Sequence, residues 1–163
     1  MRRVPVLSVL LFLATMPVPL AAGQDHHGTS EQQGAMVMGF DQARTTHHFL
    51  LFADGGAIDV GVNESTDTTN RDAIRSHLPH IAVMFGQGNF DAPMLVHDSN
   101  NVPGTKAMTE RTGAIRYQYV ETAHGGRVNI VTSDADALAA VHAFLKFQIA
   151  EHKTGDPTTV RTR

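Results

Sequence analysis

Several side chains able to hold a metal ion recur at helical spacing. His77, His80 and Met84 stand at i, i+3 and i+7, so a helix carries them within an arc of about 60°. Imidazole suits copper, zinc, nickel and iron, and a thioether draws the preference toward Cu(I). His97-Asp98 adds an imidazole with a carboxylate beside it, which can orient the ring or supply an oxygen ligand. His77, His80 and His97 therefore form the core of a candidate metal centre. His47 and His48 are neighbours at the start of an expected strand and point to opposite faces, so at most one can join a shared site. Both faces are apolar there, and the pattern does not choose between them. The competing structural readings are a helix boundary with Met84 filling core, and a strand end with two solvated imidazoles.

The remaining histidines are weaker candidates. His26-His27 lies in a polar leader and would capture a metal only loosely. His124 sits in a Gly-Gly turn, His142 falls on the core-facing edge of a helix, and His152 lies where it can interact with a helix C-terminus. Met36-Val37-Met38 offers two thioethers at alternate positions, a spacing that an apolar strand would also show.

Composition narrows the chemistry. The chain has 163 residues, no Cys, no Trp and ten His. Disulfide bracing, thiol catalysis and Cys-ligated clusters are excluded. A formal charge of −3 gives no general attraction to nucleic acid or anionic membrane. Arg2-Arg3, an apolar run from Val4 to Pro19 and Leu20-Ala21-Ala22-Gly23 read as a secretory signal peptide over residues 1–23, giving a periplasmic or secreted protein with no stable membrane insertion after cleavage. Residues 24–36 read as a flexible leader and 157–163 as a flexible tail.

Between them, residues 37–156 read as one domain built on an internal repeat. An apolar run from His47 to Ala53, the turn Asp54-Gly55-Gly56, alternating Ile58, Val60 and Val62, and then a helical stretch form one unit. Ala114 to Val120, His124-Gly125-Gly126, Val128 and Ile130, and a second helical stretch form the other. The expected fold is α+β: duplicated β-hairpin–helix units giving a four-stranded antiparallel sheet with two helices on one face. The first helix should run from the Thr68/Thr69/Asn70 caps to Phe85 with Ile74, Leu78, Ile81 and Phe85 on the sheet side, and Pro79 should kink or break it. The second should start at Ser133/Asp134 and bury Leu138, Val141, Leu145 and Ile149. Asn89 to Gly113 reads as a connection in which Met94-Leu95-Val96 could form a short edge strand.

Met38-Gly39-Phe40-Asp41, Thr46-His47-His48-Phe49, Gly88-Asn89-Phe90-Asp91-Ala92-Pro93-Met94, His97-Asp98 and Phe147-Gln148-Ile149, with His152 and Thr154-Gly155-Asp156, resemble a group of small exported bacterial proteins often labelled aspartate carbamoyltransferase. The resemblance covers nearly all of residues 36–156. The label implies a Ser-Thr-Arg-Thr loop for carbamoyl phosphate. Here Ser65-Thr66-Asp67-Thr68 places a carboxylate where the phosphate-binding Arg would stand, and a carboxylate repels phosphate.

No G-x-S-x-G elbow, Walker loop or H-E-x-x-H motif occurs. The leading expectation is an exported transition-metal binding protein, copper first and zinc second, with His77, His80, His97, His47, His48 and Met84 as ligands and buffering, delivery or detoxification as its role. The alternatives are an enzyme, either the labelled transferase or a hydrolase using His97 and Asp98, and a metal-free module whose histidines respond to acid.

Overall fold

Two hairpins form the sheet. β1 (Thr45–Phe52) turns back at Ala53-Asp54 into β2 (Gly55–Val62), and β3 (Ile115–Thr122) turns at Ala123-His124 into β4 (Gly125–Thr132). The computed structural model describes residues 38–163, so the expected signal peptide and leader, with His26-His27 and Met36, lie outside the described residues. All pairings are antiparallel, in the order β1-β2-β4-β3, which brings the second strand of each hairpin to the centre. The expected α+β fold of paired hairpin–helix units is the observed one.

The duplication extends to detail. The Asp54 carbonyl in one turn accepts the Thr132 N–H, and the His124 carbonyl in the other accepts the Val62 N–H, each at 2.9 Å. Gly55 is required at the joint: its φ is +139°, and a Cβ there would lie 2.0 Å from the Ile130 carbonyl oxygen. After each hairpin an aspartate caps a helix. Asp67 accepts the Asn70 N–H at the start of α1 (Thr68–Gly86), and Asp134 accepts the Ala137 N–H at the start of α4 (Ala135–Glu151). Asp67 also takes the Arg44 Nε at 2.7 Å. The segment compared with a phosphate loop is therefore a helix cap whose carboxylate is already engaged.

Alternation in the strands sends Phe49, Leu51, Ile58, Val60, Val128 and Ile130 to one face, where α1 packs over β3 and β4 and α4 over β1 and β2. Each fully buried side chain of this size contributes about 1.5–3 kcal/mol. That packing accounts for Pro79, which α1 runs through without a break. A proline inside a helix costs about 3 kcal/mol, but buried Ile74 and Leu78 before it and Ile81 and Phe85 after it anchor both halves to the sheet. Arg75 adds a tie, donating to the carbonyls of Thr122 and Gly125 at 2.8 and 3.2 Å.

The connection is helical and carries no edge strand. α2 (Asp91–Val96) contains the segment expected to extend, with Pro93 in its first turn, where no N–H is needed. α3 (Thr105–Glu110) follows, starting from Gly104, whose φ of +85° lets its backbone approach α4; a Cβ would stand 2.2 Å from the Ala140 carbonyl oxygen. Residues 157–163, read from composition as a loose tail, lie along the outer edge of β1, where Arg161 N–H donates to Leu51 C=O at 2.8 Å and the Arg163 guanidinium sits 4.5 Å above the Phe52 ring. Among the described residues no helix is long and apolar enough to cross a membrane.

Candidate functional site

A cavity of about 70 Å³ lies between the sheet and the helices, at the ends of β1 and α4. Each wall follows from a periodicity. On α4, Phe144, Gln148 and His152 stand four apart and form one row; on α1, His77, Ile81 and Phe85 form another. β1 contributes His47 and Phe49 at alternate positions, β2 contributes Ile58 and Val60, and α2 contributes Pro93 and Val96, with His97 at its C-terminal end. Met38 and Phe40 close the side nearest His47.

Among the described residues four imidazoles line this space, those of His47, His77, His97 and His152. The His152 ring stacks on His47 at 5.6 Å between centroids and meets His97 edge-on at 5.0 Å. Phe40, which is buried, lies 5.8 Å from His47 and 5.9 Å from His77. His97 Nε2 and Gln148 Oε1 are 3.0 Å apart, so the ring donates and the amide oxygen accepts. Among the described residues no Asp, Glu, Lys or Arg lines the cavity.

Burial makes His47, His77 and His152 reluctant to accept protons. Desolvation, reinforced by His48 and His77, lowers the His47 pKa from 6.5 to about 4. Desolvation followed by His47 and His97 lowers that of His152 to about 3. His77 is lowered by burial first and by His80 second. At pH 7 His47, His77 and His152 are therefore uncharged.

Two buried polar atoms of the cavity lack partners: His47 Nε2 and Gln148 Nε2 have no hydrogen bond among the described residues. Gln42 Nε2 and the hydroxyls of Tyr117 and Tyr119 are also unpartnered but do not line the cavity. A buried polar atom without a partner costs about 1–3 kcal/mol, and the His47 and Gln148 nitrogens both belong to residues lining the one cavity.

The expected ligand set is divided by the fold. His77, His97 and His47 reach the cavity, whereas His80, His48 and Met84 do not line it. His80 is exposed and its Nδ1 donates to the Ser76 carbonyl at 2.7 Å, because the 60° that separates it from His77 on a helix moves it off the sheet-facing side. His48 takes the outer face of β1, paired with Asp156 at 3.0 Å, which settles the choice between the neighbours in favour of His47. The triad of His77, His80 and His97 is thus not assembled. Among the described residues no three His, Asp or Glu side chains are placed to hold one metal ion in the present arrangement. Asp98 is exposed while His97 faces inward, so the pair makes no dyad over the cavity.

His152 and Gln148 were missed by the reading of ligand spacing. His152 falls at a helix end by its position in the sequence, and Gln148 carries no metal chemistry. The available signal was the row Phe144, Gln148, His152, which extends the buried face of α4 by one turn. His142 is a satisfied structural histidine, its Nε2 lying 2.9 and 3.0 Å from the carbonyls of Phe52 and Gly55. Compared with known proteins, the chain matches no family model, no curated protein and no solved structure.

Proposed function

We propose that the protein binds a small uncharged organic molecule in this cavity, with its carbonyl or hydroxyl oxygen toward Gln148 and His47 and its apolar part among Phe40, Phe49, Phe85 and Phe144. The observation that carries this reading is the pair of unpartnered nitrogens in an otherwise apolar space. Gln148 Nε2 can only donate, so the ligand must bring an acceptor. A charged ligand would meet no opposite charge and would lose its hydration, which disfavours anions such as carbamoyl phosphate or aspartate here. An apolar cavity of about 150 Å³ accommodates benzene; about 70 Å³ limits the buried part of a ligand to a few heavy atoms.

Cyclopentanone is a suitable probe, with cyclopentane, cyclobutanecarboxylate and cyclopentylammonium as partners of similar size. Saturable binding of the ketone, about tenfold weaker binding of the hydrocarbon, and none of either ion are expected; one hydrogen bond to an uncharged group is worth about 1 kcal/mol and each tenfold about 1.4. Equal binding of ketone and carboxylate would refute the reading.

A second reading is favoured by the ring cluster itself. A transition-metal ion, copper or zinc, could be held by His47, His97 and His152 if the rings turn from their stacked positions, since His152 lies between the other two at 5.6 and 5.0 Å and uncharged nitrogens need lose no proton to bind. Titrations with Cu(I), Cu(II) and Zn(II) decide it: binding that His152→Ala abolishes and His80→Ala leaves intact supports the metal, and unchanged affinity in His152→Ala excludes this ligand set. As an exported protein it would then serve in buffering, delivery or detoxification.

A further inference from the structure

We propose that Asp156 is a positioning residue for the cavity, holding the end of α4 against β1 so that His152 faces His47. The proposal rests on the cavity being the binding site, and its observations lie outside the cavity.

α4 ends at His152, and the chain then reverses through two left-handed positions, Lys153 at φ +50° and Gly155 at φ +73°. A lysine pays for that conformation, and it persists only where its surroundings impose it. The imposed contact is Asp156. Its carboxylate, only 7% exposed, accepts the Phe49 N–H and the Thr154 hydroxyl on one oxygen, at 3.0 and 2.8 Å, and faces His48 Nδ1 at 3.0 Å with the other. Its own N–H returns to the Thr154 hydroxyl at 3.3 Å. Phe49 is on the edge strand, where its N–H has no neighbouring strand to bond. The carboxylate therefore substitutes for a strand at one point and joins the last turn of α4 to β1.

That point is two residues from His47 and four from His152, and the Phe49 ring is 5.4 Å from the His152 ring. Without the clasp the remaining backbone bonds of the reversal, Lys153 N–H to Ala150 C=O at 3.4 Å and Thr154 N–H to Ile149 C=O at 3.3 Å, are internal to the helix end, and the next tie to β1 is Arg161 N–H to Leu51 C=O at 2.8 Å, beyond Asp156. The spacing between the His47 and His152 rings, and with it the width of the cavity, is set by Asp156.

The test compares the wild type, Asp156→Ala, Asp156→Asn and, as a control, Asp134→Ala, which removes the cap at the far end of the same helix. The nuclear Overhauser effect between the ring protons of His47 and His152 reports the spacing without any ligand, and the dissociation constant of cyclopentanone reports its consequence. Loss of the ring contact and about tenfold weaker binding are expected in Asp156→Ala, with a smaller change in Asp156→Asn, which keeps an accepting oxygen, and none in Asp134→Ala despite its lowered melting temperature. Should Asp156→Ala fail to fold, Asp156→Asn is read alone. A ring contact retained in folded Asp156→Ala, or one as strong as in the wild type where Asp156→Asn is read alone, overturns the clasp. A wild type that takes up no cyclopentanone overturns the binding reading instead, and the ring contact still decides the role of Asp156.

Discussion

Lowering the pH from 7 to 5 is expected to destabilise the folded protein by about 2–4 kcal/mol. His47 and His152 remain uncharged when folded, with pKa values of about 4 and about 3, and regain an ordinary value near 6.5 when the chain unfolds. Between those limits the unfolded chain binds more protons than the folded one, so stability rises with pH and is lost as the pH falls from 6.5 toward 4. Each group contributes up to about 1.4 kcal/mol per pH unit; their mutual repulsion in the folded state is shared, so the two do not simply add. His77 acts in the same direction. For a domain of this size the loss corresponds to about 10 °C in melting temperature. Thermal melts at half-unit steps check it, and the variant His47→Gln/His152→Gln should flatten the curve above pH 5. A wild-type melting temperature that stays level from pH 7 to 5 would mean that these imidazoles are protonated in the fold.

The second large effect is expected at Phe144. Its ring is 1% exposed, meets Phe85 edge-on at 5.9 Å and Phe90 at 6.0 Å, and forms one wall of the cavity. Phe144→Ala should cost about 3–5 kcal/mol, the range for removing a buried aromatic ring. The same change enlarges the cavity toward the core, so the variant should take a larger ketone such as acetophenone in preference to cyclopentanone. Denaturation midpoints and the two affinities measure both consequences. Leu95→Ala, at a side chain 61% exposed, is the control and should shift stability by less than about 0.5 kcal/mol.

How far the sequence reveals this molecule depends on the range of the interaction concerned. The sheet and its two long helices follow from local patterns: alternation from Ile58 to Val62, the four-residue rhythm from Ile74 to Phe85, and the paired Gly-Gly turns. Pro79 does not break α1 because the local cost of proline is outweighed by packing on both sides of it. Met94-Leu95-Val96 is too short a run to separate strand from helix. The site is harder to read for a different reason. His77, His80 and His97 have ligand-like spacing, but where an imidazole points depends on which degree of arc the sheet covers, and His80 falls just outside. His152 enters the cavity because a half-buried aspartate four residues later turns the chain back onto β1, a contact across more than a hundred residues that no periodicity announces.

In the proposed reading His47, His77, His97, His152 and Gln148 line a space for an uncharged molecule. The most direct measurement is a titration of the isotope-labelled protein with cyclopentanone, following the histidine ring resonances at pH 7. The expected result is saturable movement of His47, His77, His97 and His152 while His80, His124 and His142 stay in place. Movement of His142 or His80 to the same extent, or no saturable movement at the four cavity histidines, would contradict it.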